Sequence, residues 1–287
     1  MNSEGLAVLA AVSYALFTVF GWLGLQYSTP LAATVVSLAA RTVILWAAVF
    51  LTGGIPEFAR AALLVFVVLG ILQSLTSLLT FTGLHKIGTS RSQPLRNTYP
   101  LWSALIAIII LHERAGTLIV TGTFLVVVGV VLISWKPDVP PPGYRWWHIA
   151  YSLGAGMLAG IAYPLRRYGL MITDEPVFFA AIVAVVSLAG ALPYLAVTRG
   201  TPTGHQRLGG LGYFLLSGFF EAMGALLSLM ALSSGRVVVI APIVATTPLW
   251  NLIVAIVFLR GREEINLRTI TGTLAVVVGA IGIALGR

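Results

Sequence analysis

Two charged residues stand near the middle of long apolar stretches of this sequence. Arg41 lies midway along the run 31–52, and Glu221 lies near the middle of the run 208–232. A charged side chain at the centre of a bilayer costs on the order of 2.5–3.5 kcal/mol on insertion scales, so each such group needs a partner or a function. A guanidinium and a carboxylate can neutralise each other as a structural ion pair, or either can bind a charged substrate. The sequence leaves both interpretations open.

Small and polar side chains follow these charges at helical spacing. Ser217, Glu221 and Ser228 lie on one helical face, with three- and four-residue steps through an intervening glycine. We expect this stripe to face protein and not lipid. Gln73 and Ser77 form an equivalent stripe on the third apolar run. If both helices line the centre of the molecule, Gln73 approaches Glu221.

Aromatic residues within the apolar runs offer a surface on which a ligand can stack. Apolar walls with a few polar groups are typical of small-molecule sites, although a single aromatic is more often packed or lipid-facing. The run that begins near residue 89 starts with unusually polar residues. Among these, Arg91 and Arg96 can bind a carboxylate, but their place near a helix end favours extension of the side chain toward water. The predicted substrate-binding residues are Tyr14, Arg41, Gln73, Ser77, Asn97, Tyr99, Trp102, Tyr163, Glu221 and Trp250.

Five prolines fall inside the fourth, sixth and ninth apolar runs. A proline lacks the backbone N–H that closes a helical hydrogen bond, so each one predicts a kink or a loosened turn. The freed carbonyls can be satisfied by neighbouring groups, or they can be presented to a substrate. The predicted hinge or kink residues are Pro94, Pro100, Pro164, Pro242 and Pro248.

The composition indicates which elements must position these residues. The 287 residues are 58% hydrophobic and only 9% charged, whereas an ordinary soluble domain is roughly 25% charged. Apolar runs of about 20 residues, the length that crosses a bilayer as a helix, recur along the chain. They predict an all-α membrane protein with ten transmembrane helices, at 5–25, 31–52, 61–83, 89–111, 116–135, 147–169, 176–198, 208–232, 237–259 and 266–286. The net charge of +8 is scattered over loops and helix ends, which is a membrane feature and predicts no nucleic-acid partner.

The chain contains an internal repeat. The tetrapeptide YPLW at 99–102 recurs as TPLW at 247–250, and TGT at 121–123 recurs at 271–273. Each half contains five runs, and an odd number of spans makes the second half enter the membrane in the opposite sense. The sequence therefore predicts two inverted five-helix repeats, a pattern found in secondary transporters. The predicted units are 1–137, a Pro-rich linker 138–146, and 147–287.

On these repeated motifs the chain resembles the drug/metabolite transporter superfamily, and within it the EamA-type ten-span members. The residues that carry the resemblance are the paired prolines, the acid after each, and the glycines of the following span: Pro100, Pro248, Glu113, Glu263, Gly122, Gly129, Gly272 and Gly279. The resemblance implies export of small metabolites, including amino acids and among them aromatic ones, by alternating access around a central cavity. It also implies a multi-pass protein of the inner (plasma) membrane whose partners are the lipid bilayer and a small-molecule substrate.

Other function classes have weaker support in the sequence. Paired acids, histidine pairs, an activated serine and phosphate-binding loops are not found, so we expect neither an enzyme nor a cofactor, and no metal site. A multidrug exporter of lipophilic cations is an alternative in which Glu221 replaces the acid that such proteins carry in the first span. A lipid-handling membrane protein is a second alternative. The oligomeric state is left open, and a monomer is compatible with the sequence.

Overall fold

The computed structural model describes residues 2–27, 30–87, 89–134, 145–197, 210–259 and 267–286, and within these ranges it contains helices and no strand. The predicted all-α fold is confirmed. The first half contains α1 (Ser3–Leu25), α2 (Pro30–Leu51), α3 (Arg60–Ile87), α4 (Thr89–Arg96), α5 (Tyr99–Ile110) and α6 (Thr117–Ser134). The second half contains α7 (Ile149–Ile172), α8 (Pro176–Val197), α9 (Leu211–Ser234), α10 (Val237–Val244), α11 (Thr247–Leu259) and α12 (Leu267–Leu285). The predicted linker 138–146 lies outside the described residues, apart from its last two positions.

Among the described residues, six helical stretches are long and apolar enough to cross a membrane. They are Ser3–Gly24, Arg60–Thr80, Thr117–Ser134, Leu211–Ser234, Val237–Val254 and Leu267–Leu285. Shorter apolar stretches occupy parts of α2 and α8, at Val36–Leu51 and Pro176–Leu192. Six of the ten predicted spans therefore meet this criterion of length and composition, and the full count of ten stays a prediction.

The helices of the two halves pack against each other in matched pairs. Helix α1 packs on α9, and its counterpart α7 packs on α3. In the same way α2 contacts α9 while α8 contacts α3, and α5 contacts α7 while α11 contacts α1. Each half therefore buries its apolar faces against the other half.

The last helices of the two halves, α6 and α12, meet at glycine. A Cβ atom built on Gly122 would lie 2.6 Å from the carbonyl oxygen of Gly279, and one on Gly129 would lie 2.5 Å from that of Gly272. Small residues allow helix backbones this close in a membrane, where packing and not water exclusion drives association. The order of the contacts also shows that α6 and α12 run antiparallel.

The fourth and ninth predicted spans are each divided into two helices. Pro100 and Pro248 occupy the second position of α5 and α11, where a missing N–H costs no helical hydrogen bond. These two prolines therefore begin new helices and do not merely kink a continuous one. Pro94, Pro242 and Pro164 lie inside α4, α10 and α7.

Candidate functional site

An ion pair joins the two halves at the centre of the bundle. Nη1 of Arg41 donates to Oε1 of Glu221 over 2.9 Å. The Arg41 side chain is only 5% exposed and that of Glu221 only 14%. The structure thus brings together the two charges that stand inside apolar runs of the sequence.

Helix α9 is positioned for this contact by its small residues. A Cβ on Gly218 would lie 2.6 Å from the carbonyl oxygen of Ser37, so the glycine lets α2 approach one turn before Glu221. The Ser37 hydroxyl then donates to the carbonyl of Phe214 at 3.2 Å. Ser217 and Ser228 are buried, which confirms that the polar stripe faces protein.

Tyr14 of α1 lies beside the ion pair. Its ring packs on Gly224 of α9, where an added Cβ would lie 2.9 Å from the ring carbon Cδ1. The phenol is within electrostatic range of charged and phenolic groups from three other helices: Tyr163, Arg166, Arg41 and Glu221. Tyr14 is therefore within electrostatic range of both the ion pair and Tyr163 of α7.

Tyr99 and Tyr163 form a stacked aromatic pair, with ring centroids 5.4 Å apart and planes inclined by 10°. Glycines on α7 make this possible, because α5 contacts the backbone there. A Cβ on Gly160 would meet Cβ of Trp102 and would lie 2.9 Å from the carbonyl oxygen of Tyr99. The other face of this group is charged, since Cζ of Arg166 lies 5.2 Å from the centroid of Tyr163, within the range of a cation–π contact.

The Arg96 side chain has different surroundings from those that its position in the sequence predicts. Its Nε is buried and has no hydrogen-bond partner among the described residues. The guanidinium lies within electrostatic range of Tyr99, Tyr163 and Tyr14. Extension toward water, which its position near a helix end favoured, is therefore wrong for this side chain, because the break after α4 turns the end of that helix into the bundle. The side chain of Arg91 lies outside the described residues.

Arg166, which lies over the ring of Tyr163, is a candidate site residue that the sequence analysis did not identify. The available signal was its position three residues after Tyr163, which places both side chains on one face of α7. The neighbouring Arg167 points elsewhere. Its Nη1 donates to the carbonyls of Leu232 and Ser233 at the end of α9, which favours a structural role.

Several predicted site residues lie away from the ion pair. Gln73 and Ser77 are half-buried on α3, whose main packing partners are α7 and α8. Within the described residues no hydrogen bond joins Gln73 to Glu221, and the Ser77 hydroxyl donates to the Gln73 carbonyl within its own helix at 2.9 Å. The expected approach of Gln73 to Glu221 stays a prediction.

Trp250 faces a separate space. Its Nε1 donates to the Thr246 hydroxyl at 3.2 Å. The indole lines an apolar groove of about 620 Å³ between α1, α11 and α12, whose wall includes Val8 and Leu274. Trp102, its counterpart in the first half, packs against α7 at Gly160 instead. Asn97 lies half-buried at the break between α4 and α5.

The carbonyl groups at the helix breaks are used locally. The Thr98 hydroxyl donates to the Leu95 carbonyl at 2.8 Å. At the second break, the hydroxyls of Thr246 and Thr247 donate to the carbonyls of Ile243 and Val244, each at 2.7 Å. The prolines therefore interrupt the helices, and neighbouring threonines donate to these carbonyls.

Glu113 has a role that spacing alone did not reveal. Its two carboxylate oxygens accept from the backbone N–H groups of Val237 and Val238 at 2.9 and 3.0 Å. These are unpaired donors of the first turn of α10, where a negative charge is also favoured by the helix dipole. Glu113 therefore joins the connection between α5 and α6 to the broken span of the second half. Its repeat counterpart, Glu263, lies outside the described residues.

Within the described part of the chain, no group of three or more histidine or acidic side chains is placed to hold a metal ion.

No curated protein matches the sequence. A solved crystal structure of a protein with 14% identity covers 99% of this chain and 96% of its own, with a TM-score of 0.81, so the two share a fold. The EamA-like transporter family matches residues 2–135 and 146–285, which are the two halves. The chain is therefore a multi-pass membrane protein that belongs to the EamA-like transporter family.

Proposed function

We propose that this protein is a secondary transporter that exports small carboxylate-bearing metabolites by alternating access around the Arg41–Glu221 pair. Amino acids, including aromatic ones, are the class that the family resemblance implies. The observation that carries the proposal is a buried ion pair formed between one helix of each half. A rocking motion of the halves moves such a site between the two sides of a membrane.

The proposed topology has ten spans in two inverted repeats, comprising residues 1–137 and 147–287. The antiparallel contact between the equivalent helices α6 and α12 supports inversion, since a two-fold axis in the membrane plane reverses helix direction. The proposed location is the inner (plasma) membrane.

The binding surface of the proposed site consists of the aromatic and charged groups around Tyr14. The stacked Tyr99 and Tyr163 supply an apolar wall, and Arg41 supplies a cation whose Nε lacks a partner among the described residues. This combination suits a ligand with an apolar body and an anionic end. Gln73, Ser77 and Trp250 are not needed for it.

A lipid-handling function has one observation in its favour. The groove of about 620 Å³ beside Trp250 is lined almost wholly by apolar side chains, and Leu274 in its wall is 59% exposed. An acyl chain fits such a surface. Export of lipophilic cations has less support, because Glu221 is already paired with a guanidinium.

Uptake into proteoliposomes tests the proposal. The purified chain is reconstituted and offered labelled phenylalanine, tryptophan, alanine, a cationic dye and a fluorescent phospholipid, with and without a pH gradient. We expect saturable uptake of a carboxylate-bearing compound, strongly reduced in Glu221→Gln because the replacement leaves Arg41 without its counter-charge. Movement of the dye or the phospholipid alone would contradict the proposal and support the corresponding alternative.

A further inference from the structure

The charges around Tyr14 are unbalanced. Arg41 and Arg166 lie within electrostatic range of the Tyr14 phenol, and Arg96 lies within range of the same phenol. Glu221 supplies the single carboxylate of this group, and it is already hydrogen-bonded to Arg41. Among the described residues, the other two guanidiniums therefore have no acidic partner.

The remaining described carboxylates lie elsewhere. Both oxygens of Glu113 are bound by the backbone at the start of α10. Glu57, Asp174 and Glu175 lie in the connections between helices, and Glu4 lies in the first turn of α1. We call the groups within electrostatic range of the Tyr14 phenol the Tyr14 cluster. Within the described chain no second acid is available to this cluster, which thus has three positive charges and one negative charge.

The guanidinium groups also have unused donors. Arg41 is 4% exposed, and its Nε has no acceptor among the described residues. The buried Nε of Arg96 also has no acceptor among the described residues. A buried donor without an acceptor is costly, and a guanidinium presents paired N–H groups whose geometry matches a carboxylate. A ligand with anionic oxygens would satisfy these donors.

An ammonium group would find little to bind in this cluster. At the nearby helix break, the Leu95 carbonyl already accepts from both the hydroxyl and the backbone N–H of Thr98. The face of Tyr163 already carries the guanidinium of Arg166. Because the other charges nearby are mostly positive, an ammonium group in this space is repelled.

We propose that the site binds an organic anion that carries no ammonium group, held by Arg41, Arg96 and Arg166 against the stacked Tyr99–Tyr163 pair. This inference rests on the proposed transport function but narrows its substrate class, from carboxylate-bearing metabolites that include zwitterionic amino acids to anions alone.

Three compounds with one skeleton test this directly. They are 3-phenylpropanoate, phenylalanine and phenethylamine, which are an anion, a zwitterion and a cation. Binding to the purified full-length chain is measured by titration calorimetry at neutral pH. We expect 3-phenylpropanoate to bind at least tenfold more tightly than phenylalanine, and phenethylamine to bind weakest.

A set of arginine variants distinguishes a specific role of Arg96 in binding from a general effect of removing a positive charge. Arg96→Gln should weaken binding of 3-phenylpropanoate at least tenfold, while Arg96→Lys, which keeps the charge, should recover part of the loss. Arg60→Gln is the matched control, because Arg60 is an exposed arginine at the start of α3. It should leave the affinity unchanged.

Two results would overturn this inference. One is binding of phenylalanine as tight as that of 3-phenylpropanoate, and the other is failure of the anion to bind at all. Either would leave the transport function standing if proteoliposomes still take up phenylalanine. Conversely, selective binding of the anion without transport of any carboxylate-bearing probe would contradict the proposed function and leave the binding preference intact.

Discussion

Arg41 and Glu221 form a hydrogen-bonded ion pair of 2.9 Å that connects α2 of the first half to α9 of the second. Both side chains are nearly removed from solvent. A buried pair of this kind contributes little net stability, because desolvation of the two charges offsets their attraction. Its partners nevertheless depend on each other, since either charge alone would be left uncompensated.

Single and double replacements of this pair should therefore not be additive. Glu221→Leu or Arg41→Met alone should destabilise the protein by about 3–5 kcal/mol, whereas the double variant should lose much less. Unfolding in detergent by heat and denaturant measures these changes. Additive losses in the double variant would show that the two residues act independently.

Because α6 and α12 meet at glycines, the effect of a Gly→Ala replacement on stability should depend on its position along α12. Gly279→Ala places a methyl group about 2.6 Å from the Gly122 carbonyl oxygen, so it should force the helices apart and cost about 1–3 kcal/mol. Gly282→Ala is the matched control on the same helix, because its nearest neighbour would be 3.6 Å away. Gly282→Ala should be neutral or slightly stabilising. Equal effects on thermal unfolding would argue against the close contact.

The cap formed by Glu113 predicts a local loss of protection. In Glu113→Ala the amides of Val237 and Val238 lose their acceptors, so they should exchange hydrogen faster and the fold should lose about 0.5–2 kcal/mol. Hydrogen exchange followed by mass spectrometry measures this for the peptide that contains α10. Glu57→Ala, at an exposed position between α2 and α3, should leave that peptide unchanged.

A glycine on α7 should control the geometry of the aromatic pair. Gly160→Ala would collide with Cβ of Trp102 and crowd the Tyr99 carbonyl, so α5 should shift and separate Tyr99 from Tyr163. Gly154→Ala on the same helix meets only a Leu79 methyl group at 3.6 Å. We expect Gly160→Ala to reduce proteoliposome uptake of the transported substrate several-fold while Gly154→Ala retains it. Normal uptake by both variants would show that this packing does not affect transport.

Much of the helical architecture could be predicted because it follows from local properties of the chain. The ten apolar runs lie within a few residues of the observed helices, since the length of an apolar run and its flanking polar residues are local features. The division of the fourth and ninth spans was harder to predict. A proline shows only that a backbone N–H donor is missing. Whether the helix bends or ends there depends on whether groups such as the Thr98 hydroxyl donate to the backbone carbonyls at the break.

The candidate site could be predicted only in part. Arg41 and Glu221 stood out because a charge in an apolar run is costly wherever the helix lies. Gln73 was placed near Glu221 by analogy between the repeats, and this stays a prediction because the main packing partners of α3 are α7 and α8. Arg96 was judged by its distance from a helix end and Arg166 was not singled out, whereas the surroundings of both depend on helices distant in sequence.

The sequence by itself determined the helical class, the approximate helix limits, the duplication and the two buried charges, because composition, periodicity and repeated motifs are written along one chain. Only the tertiary structure decided which helices of the two halves meet, and hence that Tyr14 lies within electrostatic range of the ion pair, Tyr163, Arg166 and Arg96. The physical reason is that packing depends on the shapes of whole helix faces. A single glycine, such as Gly218 beneath Ser37, decides whether two charges can come within 2.9 Å.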